Sequence, residues 1–319
     1  AEIEEIRKFC RERSFDTAYY PGMPLEEANR YNVLAQPYFF EGATALLGRD
    51  RQAFIDRYKF FIEPATDNRP FFFRFFKWDS VRELLALREH GGMPLLDWSY
   101  PLLVATLIQA FVASVVLILA PLMASKARRA LPPARVALYF LAIGLAFMFM
   151  EIAFIQKFIL FLAHPLYAVA VVLCAFLVFA GAGSWLAGRL QKRFQRSGHL
   201  TIAVMTMALL ALLYLAILSS LFDALIHLSD PVKIAISIGL IAPLAFCMGM
   251  PFPTGTMRLA STRQDSIPWA WAINGFASVV GAVLATLLAI HLGFAAVIVL
   301  AVLIYGLAAG ALRGFEGEF

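Results

Sequence analysis

The sequence predicts a mainly α protein: a polytopic helical membrane bundle of about seven transmembrane helices, preceded by a small α/β segment. Three observations lead there. The mean hydropathy of +0.74, with 61% hydrophobic and only 15% charged residues, exceeds what a soluble domain reaches without exposing large apolar patches. Apolar runs of spanning length follow one another from Trp98 onward. Residues 1–97 instead carry 14 Lys+Arg and 16 Asp+Glu, so a boundary falls near residue 97. The two domains are therefore 1–97, soluble, and 98–319, transmembrane.

In the first domain AEIEEIRKFCRER has the charge density of an exposed helix. SFDTAYYP after it is short, aromatic and closed by Pro-Gly, as a strand would be. PLEEANRYNVLAQPYFFEGATALLG and RDRQAFIDRY read as helices, and YKFFIEPATDNRPFFFRFFKW as an aromatic extended stretch. Its run Phe71–Phe76, broken only by Arg74, suits a domain core or an interfacial aromatic belt better than a ligand-stacking platform. Within TDNRP, Asp67 is expected to accept backbone amide hydrogen bonds and Arg69 to pair with it, a structural clasp.

The spans fall at approximately 98–123, 136–157, 166–187, 201–222, 231–250, 268–290 and 293–312. Small residues four apart, Ala180, Ser184 and Gly188 in the third span and Ala277, Gly281 and Ala285 in the sixth, predict close helix approach. GAGSWLAG at 181–188 lies inside a span and follows no strand, which removes it as a phosphate loop. The net charge of +5 does not point to nucleic acid, because the basic residues beyond position 100 cluster between apolar runs. Lys126, Arg128, Arg129 and Arg135 follow the first span, Arg189, Lys192, Arg193 and Arg196 the third, and Arg258 and Arg263 the fifth. Only Lys157 and Lys233 fall on the other side. The positive-inside rule makes loops 124–135 and 188–200 cytoplasmic and, with an odd number of spans, residues 1–97 extracytoplasmic. Cys10, Cys174 and Cys247 form no disulfide or metal framework.

The most informative span is the second, where Glu151, Gln156, Lys157 and His164 interrupt FMFMEIAFIQKFILFLAHP. With a helix starting near Val136, Glu151 lies about 22 Å along it, inside the hydrocarbon, and Lys157 lies about 31 Å along it, at the far interface. Lys157 can snorkel, after which Phe158–Ala163 are expected along the surface before His164-Pro165 turns the chain. Glu151 needs a partner from another span, or a proton. Asn274 and Ser278 of the sixth span are the best polar candidates. As a latch it would be an interhelical hydrogen bond; as a functional group it would bind a proton or cation in a transport path. CMGMPFPTG at 247–255 reads either as a broken helix with free carbonyls or as an ordinary helix end.

The strings RSFDTAYYPGM, EANRYNVL, PATDNRPFFFRFFKW, GLAFMFMEIAFIQKFILFLAHPLYAVAVVL and PWAWAINGFASVVGAVLA resemble the C-terminal half of bacterial polytopic membrane-bound spermidine synthase-like proteins. In these, a transporter-like membrane region is fused to an aminopropyltransferase-like domain. The resemblance covers nearly the whole chain. It implies that residues 1–97 are the end of a Rossmann-type methyltransferase-like domain, and that the relatives move an aminopropyl group from decarboxylated S-adenosylmethionine to putrescine. The glycine-rich turn, ribose acid and catalytic aspartate of such enzymes find no counterpart here. No catalytic, cofactor-binding or metal residue is therefore expected, and the cofactor half would lie upstream of Ala1. Three readings remain: the membrane half of a spermidine synthase-like protein, not catalytic by itself; a transporter-like bundle for a polyamine or other cation; and a structural subunit of a larger membrane complex. The expected partners are the lipid bilayer of a bacterial inner membrane, an N-terminal half or other membrane subunits, and no nucleic acid.

Overall fold

Long apolar runs leave the backbone no hydrogen-bond partner but itself once water is excluded, so each run closes into a helix. In the computed structural model residues 2–31, 34–72, 74–78, 98–194 and 198–313 are described. Phe73, Arg196 and the boundary at residue 97 lie outside them. The chain divides into two units, Ala1–Pro64 with Phe72–Trp98 and Ala65–Phe71 with Ser99–Phe319. The short turn at 65–71 thus belongs with the long helices.

In the first unit α1 (Glu2–Glu12) has Glu2, Glu4 and Glu5 in its first turn and Arg11 in its last, which complements the helix dipole. It ends where Ser14 adopts φ +55°. A bidentate contact from Arg7 to Glu27, joined by the Tyr20 hydroxyl on Glu27 Oε2 at 2.6 Å, ties α1 to the 3-10 turn Leu25–Glu27. The helix expected from Pro24 onward breaks there. Asn29 takes a left-handed φ of +56° and donates to the Leu34 carbonyl, and helix resumes only after Pro37 as α2 (Tyr38–Leu47), followed by α3 (Arg51–Arg57). Lys77 Nζ closes α3 by donating to the carbonyls of Ile55, Asp56 and Tyr58 at 2.9–3.1 Å.

The small α/β fragment is not borne out. Among the described residues there is no strand, because SFDTAYYP meets no second strand to satisfy its amides. Asp16 instead holds a loop, its Oδ1 accepting from the amides of Arg30 and Tyr31 at 2.8 and 3.0 Å. The aromatic run serves more than one end: Phe76 is buried and edge-on to Trp78, whereas Phe72 is exposed.

Seven helical segments among the described residues are long and apolar enough to cross a membrane, and the chain is a multi-pass helical membrane protein. They are α4 (Ser99–Ala124, with a π-helical turn at Val115–Leu119), α5 (Ala134–Leu162), α6 (Pro165–Phe194), α7 (Gly198–Leu225), α8 with α9 (Asp230–Met248 and Pro251–Thr262), α10 (Ile267–Leu292) and α11 (Phe294–Arg313). Proline starts α6, α9 and α10 within their first two residues. Left-handed Ala163 and Gly293, at φ +58° and +85°, end α5 and α10.

Two expected boundaries change. Residues 158–162 do not lie along a surface: α5 continues through them because Phe158 and Phe161 pack on Phe222 at 5.1 and 4.4 Å between ring centroids. The fifth span does not stop at residue 250 but turns at Gly249–Met250 and continues as α9, which places Arg258 in a helix rather than a loop.

Two thirds of α5's span, 67%, is buried, against 6% for α4, so α5 is the central helix and α4 a peripheral one with an apolar outer surface suited to lipid. Contacts near the ends alternate as an up-and-down bundle requires. At one end the Ser266 hydroxyl donates to the Ala130 carbonyl, Trp269 Nε1 to the Ala127 carbonyl and Arg258 to the Leu312 carbonyl. At the other, Tyr100 meets His291 at 2.9 Å, and Asn68 receives the amides of Phe294 and Ala295 through its carbonyl and Oδ1.

Candidate functional site

Gly144 sets the α5–α10 seam. A Cβ at this position would stand 2.8 Å from the Asn274 carbonyl oxygen and 2.9 Å from Ala277 Cβ, so only glycine admits this approach. The seam continues at Gly281, where an added Cβ would stand 3.2–3.3 Å from Met148 and Leu145, as the stripe Ala277–Gly281–Ala285 leads one to expect. The third-span ridge is different. The close contacts there pair Gly183 with Phe246 and Gly249 with Ala180, across α6 and α8, while Gly188 has open space.

Glu151 lies seven residues beyond Gly144 on the same stripe of α5 and is 5% exposed. Asn274 and Ser278 do not reach it. Asn274 Nδ2 donates to the Phe140 carbonyl at 3.2 Å, and Ser278 Oγ donates to the Asn274 carbonyl of its own helix at 3.0 Å. Both are used at the level of Phe140–Gly144, about 10 Å along the axis from Glu151. Among the described residues no hydrogen bond or ion pair reaches the Glu151 carboxylate. Tyr305 of α11, 1% exposed, is within electrostatic reach first of Tyr139 and then of Glu151. Tyr139, fully buried on α5, donates its hydroxyl to the Pro251 carbonyl at 2.6 Å and lies within electrostatic reach of Arg258. Arg258, Tyr139, Tyr305 and Glu151 thus form a succession of polar groups from the α9 end of the bundle into the middle of α5.

The other sequence-derived residues are dispersed. Gln156 and Lys157 are half-buried on α5, with Lys157 in electrostatic reach of Asp67. His164 is exposed just beyond α5, its ring edge-on to Tyr167. At the 65–71 turn the Thr66 and Arg69 backbones bond each other at 2.8 and 3.2 Å. Asn68, between the expected clasp residues Asp67 and Arg69, joins this turn to the bundle, as does Phe71, whose ring lies 5.7 Å from that of Phe294 between centroids. The Asn68 Oδ1 takes the Ala295 amide at 2.7 Å, filling the role of a cap at the start of α11. Lys233 is buried in the first turn of α8, with its ammonium 5.9 Å from the centroid of the Phe161 ring. Sequence reasoning missed Tyr305, Tyr139 and Asn68. Tyr305 alone had a signal, being the one hydrogen-bonding side chain between 294 and 312 and sitting in mid-span instead of at an interface.

In the first unit a cavity of about 160 Å³ is lined by Asp16, Asn29, Leu34, Pro37, Phe39 and Phe40. That is room for a benzene-sized molecule, not a nucleoside. No group of three His, Cys, Asp or Glu among the described residues could hold a metal ion. Comparison with protein-family models, with curated proteins and with solved structures gives no match to this chain.

Proposed function

We propose that the bundle handles a cation, with Glu151 the group that takes up the proton or cation. We further propose that the chain is the membrane half of a spermidine synthase-like protein, not catalytic by itself. One observation carries the first part: a 5% exposed carboxylate in the most buried span, with no bonding partner among the described residues. Burying an ionised carboxylate unpaired costs several kcal/mol. An interhelical latch would offset that cost with a partner, and the two expected partners are engaged elsewhere. A carboxylate inside a membrane span that no described residue hydrogen-bonds is free to take up a proton or cation, so the arrangement suits transport.

The second part rests on the strings at 144–173 and 268–285, which make up the α5–α6 turn and the α10 seam. It makes a polyamine a candidate cation, and decarboxylated S-adenosylmethionine a ligand only where an upstream half exists. The basic clusters at 124–135 and 188–200 support an inner-membrane orientation with those loops in the cytoplasm and the first unit outside.

The test is a pair of variants in proteoliposomes. Glu151→Gln keeps size and hydrogen bonding but cannot titrate, and should abolish proton or polyamine flux while leaving thermal stability unchanged. Glu151→Leu should abolish flux as well. If Gln preserves flux and only Leu loses stability, by about 1 kcal/mol as for an interhelical hydrogen bond, Glu151 is a latch and the reading fails.

A further inference from the structure

Where α4 ends, the segment KARRA closes into a 3-10 turn, Lys126–Ala130. Three residues per turn put Ala127 and Ala130 on one edge, Lys126 and Arg129 on a second and Arg128 on the third. The bundle holds the first edge: Trp269 Nε1 donates to the Ala127 carbonyl and Ser266 Oγ to the Ala130 carbonyl, both at 2.7 Å, and both donor residues are buried. The Ser125 hydroxyl fixes the entry, accepting from the Ala127 amide at 3.1 Å while donating to the Leu122 carbonyl at 2.9 Å. The other two edges are left outward, and Lys126, Arg128 and Arg129 are all exposed. Among the described residues none of these three side chains is hydrogen-bonded or ion-paired. No Asp or Glu occurs between Trp98 and Met150. Asp265, the acid of the contacting turn Gln264–Ser266, makes no ion pair with them either.

The place of the turn says what complements it. The α4 span is 6% buried, so its outer surface meets lipid, and the turn begins two residues beyond Ala124, at the level of the headgroups. Met123 and Leu131, which flank the turn, are exposed and supply apolar contact for acyl chains. We propose that the turn Lys126–Ala130 is a docking surface for acidic phospholipid headgroups, with Arg128 and Arg129 gripping phosphate through their planar forks and Lys126 adding a point charge. The hydrogen bonds from Trp269 and Ser266 set the turn before lipid arrives, which removes part of the ordering cost that a flexible basic loop would meet on binding. This surface is independent of Glu151 and of the cation that the bundle handles.

The experiment is native mass spectrometry of the full chain in a non-ionic detergent, titrated with phosphatidylglycerol and, separately, with phosphatidylcholine of the same acyl chains. Each cation close to an acidic headgroup is worth about fivefold in affinity, so the three together should favour phosphatidylglycerol by about a hundredfold. In the triple variant Lys126→Gln, Arg128→Gln, Arg129→Gln that preference should vanish while phosphatidylcholine binds as before, which also reports that the variant is folded. Arg49→Gln, Arg51→Gln, Arg57→Gln removes the same charge from exposed positions around α3 and should keep the preference. In the unmodified protein, higher ionic strength should weaken phosphatidylglycerol and spare phosphatidylcholine. Equal affinity for the two lipids in the unmodified chain, or a preference that survives in the first triple variant, overturns the proposal. A preference lost equally in the α3 variant overturns it too, since net charge would then suffice. Displacement of phosphatidylglycerol by inorganic phosphate at matched ionic strength would make the turn a site for free phosphate, and the lipid surface falls.

Discussion

Gly183 offers the sharpest perturbation of the bundle. On α6 it lies directly against α8: a Cβ built there would stand 1.9 Å from the Phe246 carbonyl oxygen, where ordinary van der Waals contact begins at 3.4 Å. Gly183→Ala must therefore part the two helices by about 1.5 Å, the difference 3.4 − 1.9, because the obstacle is backbone and not the tip of a flexible side chain. The reciprocal contact, 2.0 Å from a Gly249 Cβ to the Ala180 oxygen, blocks escape by rolling one helix over the other. A radial gap of even 0.5–1 Å forfeits about a quarter to a half of each dispersion contact along the seam, so the loss belongs at the top of the overpacking range, about 3 kcal/mol. At roughly 2–4 °C per kcal/mol the melting midpoint should fall by roughly 6–12 °C. Gly181→Ala, two residues away with nothing within 4 Å, is the control, and through helix propensity alone should hold or slightly raise the midpoint. Both are measured by thermal unfolding in detergent, followed by near-UV circular dichroism. A Gly183→Ala midpoint no lower than that of Gly181→Ala would show that the α6–α8 seam is not closed by glycine.

Acid should loosen the first unit through Glu27, whose carboxyl is held below the usual carboxylate range first by the Tyr20 hydroxyl and then by the Arg7 guanidinium. A lowered folded-state value means that the stabilisation is present above the unfolded carboxyl range, about pH 4.3, and is lost as pH falls through the folded value. Amide-exchange protection of α1, corrected for intrinsic rates, should drop on acidification in the unmodified chain and lose that dependence in Glu27→Gln; identical profiles would refute the linkage. Orientation is read by labelling half-buried Cys10 with a membrane-impermeant thiol reagent in intact cells, in a background with Cys174 and Cys247 replaced by alanine. Labelling without lysis is expected, and labelling only after lysis reverses the topology.

The number and approximate position of the spans follow from the sequence because the hydrocarbon layer imposes a one-dimensional rule: a run of about twenty apolar residues must close its own hydrogen bonds. Glu151 was legible for the same reason, as a carboxylate in such a run, and the Ala277–Gly281–Ala285 stripe because small residues four apart form a local ridge. What faces Glu151 was not legible. An apolar helix surrounded by lipid or other apolar helices has little amphipathic contrast to reveal its rotation, so the sequence pattern points to Asn274 and Ser278 without showing which way they turn. Tertiary packing decides it: Gly144 brings α10 against α5 so closely that Asn274 is consumed by the Phe140 carbonyl, and Asn68 anchors the start of α11. The first unit differs for a related reason. The extended character of SFDTAYYP is a local property, but a strand exists only when a second segment pairs with it, and among the described residues the amides that Asp16 gathers come from a loop.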